Sequence, residues 1–376
     1  MGKRVGMEVS IAIAEAARLA DVDVVSAYPI TPQTHVVEHL SELVADGDLV
    51  AEYIPVESEH SALSACIGAA AAGARTFTAT SSQGLALMHE ILFIAPSLRF
   101  PIVMAVANRA LSGPINIWND HSDIMSERDA GWLATFAENG QEAVDLVLHA
   151  FRVAEDPRVQ LPITVNFDGF TVSHVIEPIE LPDEEAVRKF LPPYAPKRRL
   201  DTAAPRTMGP VGLPDVYTEA KVALDEALRG SYGPVVEAWK EFGKVFGRKY
   251  EPIMTYGDPD AEIVLVAAGG IVETARSVVE ALRAEGKKVA VASLKLWRPF
   301  PFEDFRRLAA RTKVLVIVDR CLSYGGPLGP MASEMKSALY GTDTRPPVVE
   351  FVAGLGGRDV TQADLRTLFE PAAGGL

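Results

Sequence analysis

Residues 53–109 constrain the fold more than any other stretch of the 376-residue chain. They open on a carboxylate pair, Glu57 and Glu59, and run into residues 61–72, a segment made mostly of Ala, Gly, Ser and Cys. A helix built from such residues has little bulky surface, so another helix or a ligand must pack tightly against it. A strand at 76–79 follows, then the turn Thr80-Ser81-Ser82-Gln83-Gly84, a second helix, and a strand at 101–107 that ends at Asn108-Arg109. Two strands thus deliver polar loops at their carboxyl ends, where parallel sheets place their ligands. An acidic side chain beside a packed helix is costly to bury without a purpose. Glu59 is therefore the first candidate for a site.

The chain ahead of this stretch prepares another strand-end loop. Residues 7–20 read as a helix, with Val9, Ala12, Ile13, Ala16 and Ala20 at helical spacing. A buried strand at 22–26 runs straight into Ala27-Tyr28-Pro29-Ile30-Thr31-Pro32, where two prolines restrict the backbone and the residues before them. A loop this stiff can hold the Thr31 hydroxyl at a fixed point; Thr31 also suits the cap of a helix starting near Pro32. After Arg109, residues 112–132 are dense in Asp, Asn, His and Trp, which fits a long surface or site loop. Asp120, His121 and Asp123 match no common metal cage, and a lone histidine is more often a hydrogen-bonding residue, so no metal site is assigned. A helix at 142–155 and a strand at 161–167, ending in Asp168-Gly169-Phe170, continue a βαβα alternation across residues 7–170. That alternation predicts a doubly wound parallel sheet of the α/β class.

Periodicity then fades. Residues 177–214 are crowded with proline and read as a linker or an arm lying on another surface, and residues 215–247 as a helical segment or two. A smaller α/β domain is expected from about residue 260, with strands at 263–267, 289–296, 314–319 and 348–352. The division is thus 1–176, 177–259 and 260–376. Gly269-Gly270 is not a GxGxxG fingerprint and is read as a tight strand-to-helix turn. No Walker loop, HExxH or GxSxG occurs.

Composition excludes several classes. A net charge of −14 argues against a nucleic-acid partner. No apolar run approaches the roughly 20 residues of a membrane span, and the basic start lacks a following apolar region, so a cytoplasmic protein is expected. Cys66 and Cys321 are the only cysteines, too few for a disulfide framework or for an iron–sulfur cluster, which takes about four thiolates. Cys66, in the middle of the small-residue helix, reads as core rather than nucleophile.

Taken together, YPITP, SEHSA, TATSSQGLALM, NRALSGPINIWNDHSD, RDAGW and NFDGF resemble the α subunits of 2-oxoacid:ferredoxin oxidoreductases, nearest to the pyruvate form made of separate subunits. One departure is visible: Gly6-Met7-Glu8-Val9 stands where the family often has Gly-Asn-Glu-Ala. The resemblance covers nearly the whole chain. It implies a thiamine-diphosphate-binding, pyrimidine-type domain in front and a transketolase-C-like domain behind. It also implies coenzyme A-dependent oxidative decarboxylation of pyruvate to acetyl-CoA and CO2, reversible, with ferredoxin as electron acceptor. Glu59 is expected at N1′ of the aminopyrimidine, where burial would raise its proton affinity; Glu57 reads as a solvated residue at a helix start. Thr31 is expected to hydrogen-bond the 2-oxo group and Arg109 to pair with the substrate carboxylate. A structural ion pair of Arg109 with Asp120 or Asp123 is the competing role. Pro29, Ile30, Ser82 and Gln83 join Glu59 in the expected cofactor pocket. The Gly-Asp-Gly…Asn motif that holds Mg2+ and diphosphate does not occur. The resemblance therefore places the diphosphate half and Mg2+ on a β subunit, [4Fe-4S] clusters on β and δ subunits, and the whole in a dimer of heteromers that includes γ.

Four other readings compete, one of them a nucleotide-binding module built on the second domain, which no GxGxxG fingerprint supports. Another 2-oxoacid (2-oxoisovalerate, 2-oxoglutarate or phenylglyoxylate) keeps the family and changes the pocket. The pyrimidine-binding chain of a lipoamide-linked dehydrogenase shares the domain order, but the YPITP loop and the NRALSGPINIW run argue against it. A non-catalytic assembly partner would not need Thr31, Glu59 and Arg109 together.

Overall fold

The computed structural model describes residues 2–370. Its front half runs β1 (Lys3–Glu8), α1 (Val9–Leu19), β2 (Val24–Ala27), α2 (Thr34–Asp46), β3 (Glu52–Pro55), α3 (Glu59–Ala72), β4 (Thr76–Thr80) and α4 (Ser82–Leu87). It continues with α5 (His89–Leu98), β5 (Val103–Asn108), α6 (Ser122–Ser126), β6 (Leu133–Phe136), α7 (Gly140–Ala154), β7 (Ile163–Asp168), β8 (Ile176–Leu181) and α8 (Glu184–Phe190). The back half runs α9 (Pro214–Gly230), α10 (Tyr232–Phe246), β9 (Ile253–Gly257), β10 (Ile263–Ala267), α11 (Ile271–Ala284), β11 (Val289–Leu294) and β12 (Leu296–Arg298). The last elements are α12 (Phe302–Ala310), β13 (Val314–Asp319), α13 (Pro330–Leu339), β14 (Val348–Val352) and α14 (Gln362–Thr367).

Three sheets result. The front one is seven-stranded, in the order β12-β6-β7-β5-β4-β2-β3, and parallel except for β12. The back one is five-stranded, β14-β13-β10-β11-β9, parallel except for β9. This is the α/β architecture that the alternating apolar strands and helices predict. β2, β4, β5 and β7 are buried along their whole length, as strands covered by helices on both faces must be. One apolar cluster, including Ile13, Val144 and Phe151, fills the face under α1 and α7. A second is shared by both halves, joining Met104, Val106 and Phe136 to Val266, Leu294 and Trp297.

Several elements depart from the sequence expectation. β1 and β8 form a two-stranded antiparallel ribbon, so α1 starts at Val9 because Met7 and Glu8 pair with Glu177 and Ile176. β8, from Ile176, and α8 occupy the start of 177–214, which periodicity left without elements. β9, ahead of residue 260, pairs with β11 in the back sheet. The apolar run 289–296 is two strands: the chain breaks at Lys295, and β12 joins the edge of the front sheet beside β6. Lys295 explains the break. Its fully buried ammonium bonds Glu138 and Glu142, both of the front half, and a buried charge must be paired.

Candidate active site

α3 begins at the N-cap Ser58, whose side chain accepts from the Ser61 amide at 3.3 Å. This cap sets Glu57 and Glu59 in opposite environments. Glu57 is exposed and accepts from the Ser61 hydroxyl at 2.5 Å, a bond that lowers its pKa. Glu59 is 5% exposed, and burial raises its pKa, its own backbone amide opposing. Among the described residues nothing else donates to the Glu59 carboxylate. The small residues of α3 let the helix lie close on β2 and β4, with Ala62, Leu63 and Cys66 buried. Burial pushes the Cys66 thiol up to about 12, which makes it core and not nucleophile.

The β4–α4 turn closes over this carboxylate. Gly84 faces Glu59 so closely that a Cβ there would lie 2.6 Å from Glu59 Oε1 and 2.5 Å from Thr80 Oγ1. Thr80 Oγ1 is itself buried without a partner. Ser82, beside it, has φ +45, a strained backbone for a residue with a side chain. The Ser82 hydroxyl donates to the Ala110 carbonyl at 2.6 Å, and the Ser81 hydroxyl to the Ala107 carbonyl at 2.7 Å. Gln83 is half-buried.

Arg109 continues from β5 and is 6% exposed. Its guanidinium donates from Nε to the Asn116 carbonyl at 2.8 Å and from Nη1 to the Thr31 carbonyl at 2.9 Å. No described carboxylate lies in ion-pair range of it, so the competing structural pair with Asp120 or Asp123 is not made. Burial lowers its pKa, with the Asp123 charge acting the other way. The Thr31 side chain is exposed, as is Pro29. Ile30 is tied by its amide to Gln33 Oε1 at 3.2 Å, and Gln33 Nε2 reaches the Ala79 carbonyl at 2.7 Å. That glutamine, fully buried, pins the loop after β2 to β4. Thr31 and Arg109 are thus in contact, and Glu59 meets the Ser82–Gly84 turn.

One residue that sequence reasoning set aside holds the two groups in register. Asp123 Oδ2 accepts from the backbone amides of Ser82 at 3.1 Å and Arg109 at 3.0 Å. Its Oδ1 accepts from Asn108 Nδ2 at 3.0 Å and the Ile124 amide at 2.7 Å. Burial pushes Asp123 up to about 7 against the pull of these four donors. Its neighbours in the loop dock on the back half, the His121 amide donating to the Arg320 carbonyl at 2.9 Å. Asp120 accepts from the Ser122 and Gly356 amides, and His121 Nε2 lies 3.0 Å from Asp168 Oδ1. Asp168, at the end of β7, also accepts from Arg320 at 2.5 Å and from the Gly270 amide at 3.0 Å. The Gly269-Gly270 turn therefore does more than bend the chain. A Cβ on Gly269 would lie 2.7 Å from Asp168 Oδ1.

A cleft of about 880 Å³ lies between α9 and residues 298–303, and none of the candidate residues lines it. No helix among the described residues is long and apolar enough to cross a membrane.

Comparison with known proteins identifies the family and agrees with the fold. The family model "Pyruvate flavodoxin/ferredoxin oxidoreductase, thiamine diP-bdg" matches residues 15–232, and "Pyruvate:ferredoxin oxidoreductase core domain II" matches residues 261–365. Pyruvate synthase subunit PorA of Pyrococcus abyssi is 51% identical over 95% of this chain and 91% of its own. Ketoisovalerate oxidoreductase subunit VorA of Pyrococcus horikoshii is 43% identical over 96% of this chain and 91% of its own. Among solved structures, 2-oxoglutarate:ferredoxin oxidoreductase from Magnetococcus marinus, with 2-oxoglutarate, coenzyme A and succinyl-CoA bound, superposes with a TM-score of 0.75 at 19% identity. It is matched over 98% of this chain; this chain spans 65% of its length, and at that identity the likeness speaks for the fold. With the thiamine-binding family model over more than half of its residues and such identity to a PorA subunit, the chain belongs to the pyruvate flavodoxin/ferredoxin oxidoreductase family, as a subunit related to pyruvate synthase PorA.

Proposed function

We propose that this chain is the α subunit of a multisubunit, thiamine-diphosphate-dependent pyruvate:ferredoxin oxidoreductase, forming acetyl-CoA and CO2 from pyruvate and coenzyme A, reversibly. One observation carries the reading to residues: a buried carboxylate with no donor beyond its own amide, at the start of the small-residue helix of a thiamine-binding fold. The residues present suit the pyrimidine half of the cofactor: Gly84 lets the Glu59 carboxylate lie against the β4–α4 turn, and the unpartnered Thr80 hydroxyl is beside it. Glu59, Pro29, Ile30, Ser82 and Gln83 would hold that half. When bound, thiamine diphosphate supplies the carbon nucleophile and electron sink that decarboxylation of a 2-oxoacid requires.

The chain's own groups do the rest. Glu59, its proton affinity raised by burial, is the proton partner for a ring nitrogen. Arg109 spends Nε and Nη1 on carbonyls, which positions the fork while its charge stays unmatched by any described carboxylate. That charge suits a substrate carboxylate. Thr31, its carbonyl gripped by Arg109, presents its hydroxyl to the 2-oxo group.

The remaining components belong to partners in this reading. A β subunit supplies the diphosphate half with Mg2+, and [4Fe-4S] clusters sit on β and δ chains; γ completes each heteromer, two of which pair. Cys66 and Cys321 are buried and separate, and offer no cluster here. The complex is cytoplasmic and passes electrons to ferredoxin.

The test is to isolate the assembled complex through this chain, identify its companions, and assay pyruvate- and coenzyme A-dependent reduction of a viologen dye. Cluster-bearing partners with pyruvate activity are expected, with Glu59→Gln abolishing turnover while assembly persists. Lipoyl-bearing partners, or normal turnover by Glu59→Gln, overturn the reading. Activity on 2-oxoisovalerate in place of pyruvate would move the substrate toward that of the VorA relative.

A further inference from the structure

Three side chains outside the Glu59 site converge where β1 ends, α2 begins and the chain turns after β7. Glu8, His35 and His174 offer a carboxylate oxygen and two imidazole nitrogens that all lie within 4.8 Å of one another. Glu8 Oε1 is 2.6 Å from His35 Nδ1, and the two imidazole rings lie 4.7 Å apart, tilted by 35°. We propose that Glu8, His35 and His174 form a binding site for a divalent transition-metal cation, Zn2+ being the ion whose ligand preference they match.

The donor set decides the class of ion. Two imidazoles and one carboxylate suit zinc and its first-row neighbours, whereas magnesium and calcium ask for a shell of oxygens. Three protein ligands leave a position for water, and all three side chains are half-buried, so solvent can complete the shell. The surroundings of His174 favour ligation. Ser173 Oγ, 2.7 Å from its Nδ1, can accept a hydrogen bond from Nδ1–H and leave Nε2 as the lone-pair donor. Ser173 is held by the Phe170 amide at 2.8 Å.

An ion here would join three distant segments. His35 lies in the first turn of α2, directly after the Thr31 loop. His174 packs on Phe170, whose ring lies 4.6 Å from Trp118 in the loop that supplies Asn116 to Arg109. Occupancy would therefore brace both sides of the Thr31–Arg109 contact. The inference stands on these residues and not on the proposed reaction.

The untagged full chain, stripped with chelator and desalted, is titrated with Zn2+ against a chromophoric chelator and with Co2+ by visible absorption. The expected result is about one tight equivalent per chain and a higher melting temperature with Zn2+. His35→Ala and His174→Ala should each weaken binding by more than the roughly 10–100-fold typical of outer-shell changes, and Glu8→Gln should weaken it as well. A parent chain without a stoichiometric site overturns the proposal, as does undiminished binding in His35→Ala. The His35 side chain is 44% exposed, so His35→Ala leaves the core intact and decides the matter even where His174→Ala fails to fold.

Discussion

Gly84 has no side chain because Glu59 and Thr80 occupy the space that one would need. Gly84→Ala should displace the carboxylate, costing about 1–3 kcal/mol of stability as overpacking does. Activity of the assembled complex should fall by at least about tenfold, since the carboxylate proposed as proton partner would be misplaced. Denaturation and steady-state kinetics on the same preparation check both. Arg109→Ala should leave folding nearly intact and reduce kcat/KM for the 2-oxoacid by about 2–5 kcal/mol, the usual loss when one partner of a buried charge pair is removed. Saturation kinetics with pyruvate at fixed coenzyme A measure it. Glu59, Thr31 and Arg109 stand out as candidates in the chain alone because each follows a strand or opens a helix, and strand ends are where parallel sheets place their ligands. Gly84's purpose could not, since Glu59 lies 25 positions earlier and only packing brings them together.

At the scale of elements, Asp123 is the knot between the β4–α4 turn and the end of β5. Each oxygen accepts from two donors, so the isosteric Asp123→Asn cannot replace it. Whichever way the amide is turned, its NH2 faces two N–H groups and leaves them unpaired, at about 1–3 kcal/mol each. A drop in unfolding free energy of that order is expected, with a larger fall in kcat/KM because Ser82 at φ +45 loses its anchor. Urea titration and kinetics read the two separately. The sequence shows an aspartate in a polar loop and nothing more; its partners sit 14 and 41 residues away. The same distance problem hid β1 and β12. Lys-Arg-Val-Gly-Met-Glu has no strand signature until Ile176–Leu181 comes alongside, and Leu296–Arg298 is three residues borrowed by the other sheet.

Across the whole molecule, the two halves are joined by buried charge as well as by apolar contact. Burial alone would raise Asp168, but Arg320, His121 and the Gly270 amide together hold it well below the usual carboxylate range. A depressed folded pKa means that the unfolded chain takes up the proton first. The stability from Asp168 is therefore complete above its ordinary value of 3.8 and is lost as pH falls toward the folded value. Asp168→Asn should cost about 3–5 kcal/mol at pH 7 by leaving Arg320 uncompensated. The gap to the parent chain should begin to close only below about pH 4. Urea midpoints of both proteins from pH 7 to pH 3 would show it.

Local pattern was enough to reveal the α/β class, the alternation of the front sheet, the small-residue helix and the strand-end loops, because periodicity, proline and glycine act over a few residues. Composition likewise shows no apolar run long enough for a membrane helix and only two cysteines, fewer than a four-thiolate cluster takes. Folding in three dimensions settled the burial of Glu59 under Gly84, the carbonyls that grip Arg109, the role of Asp123 and the crossing of Lys295 between sheets. These are pairings of groups far apart in the chain. A charged or polar residue carries no mark of its partner until the sheet has brought the two together, and the cost of burying it unpaired is then what holds them there.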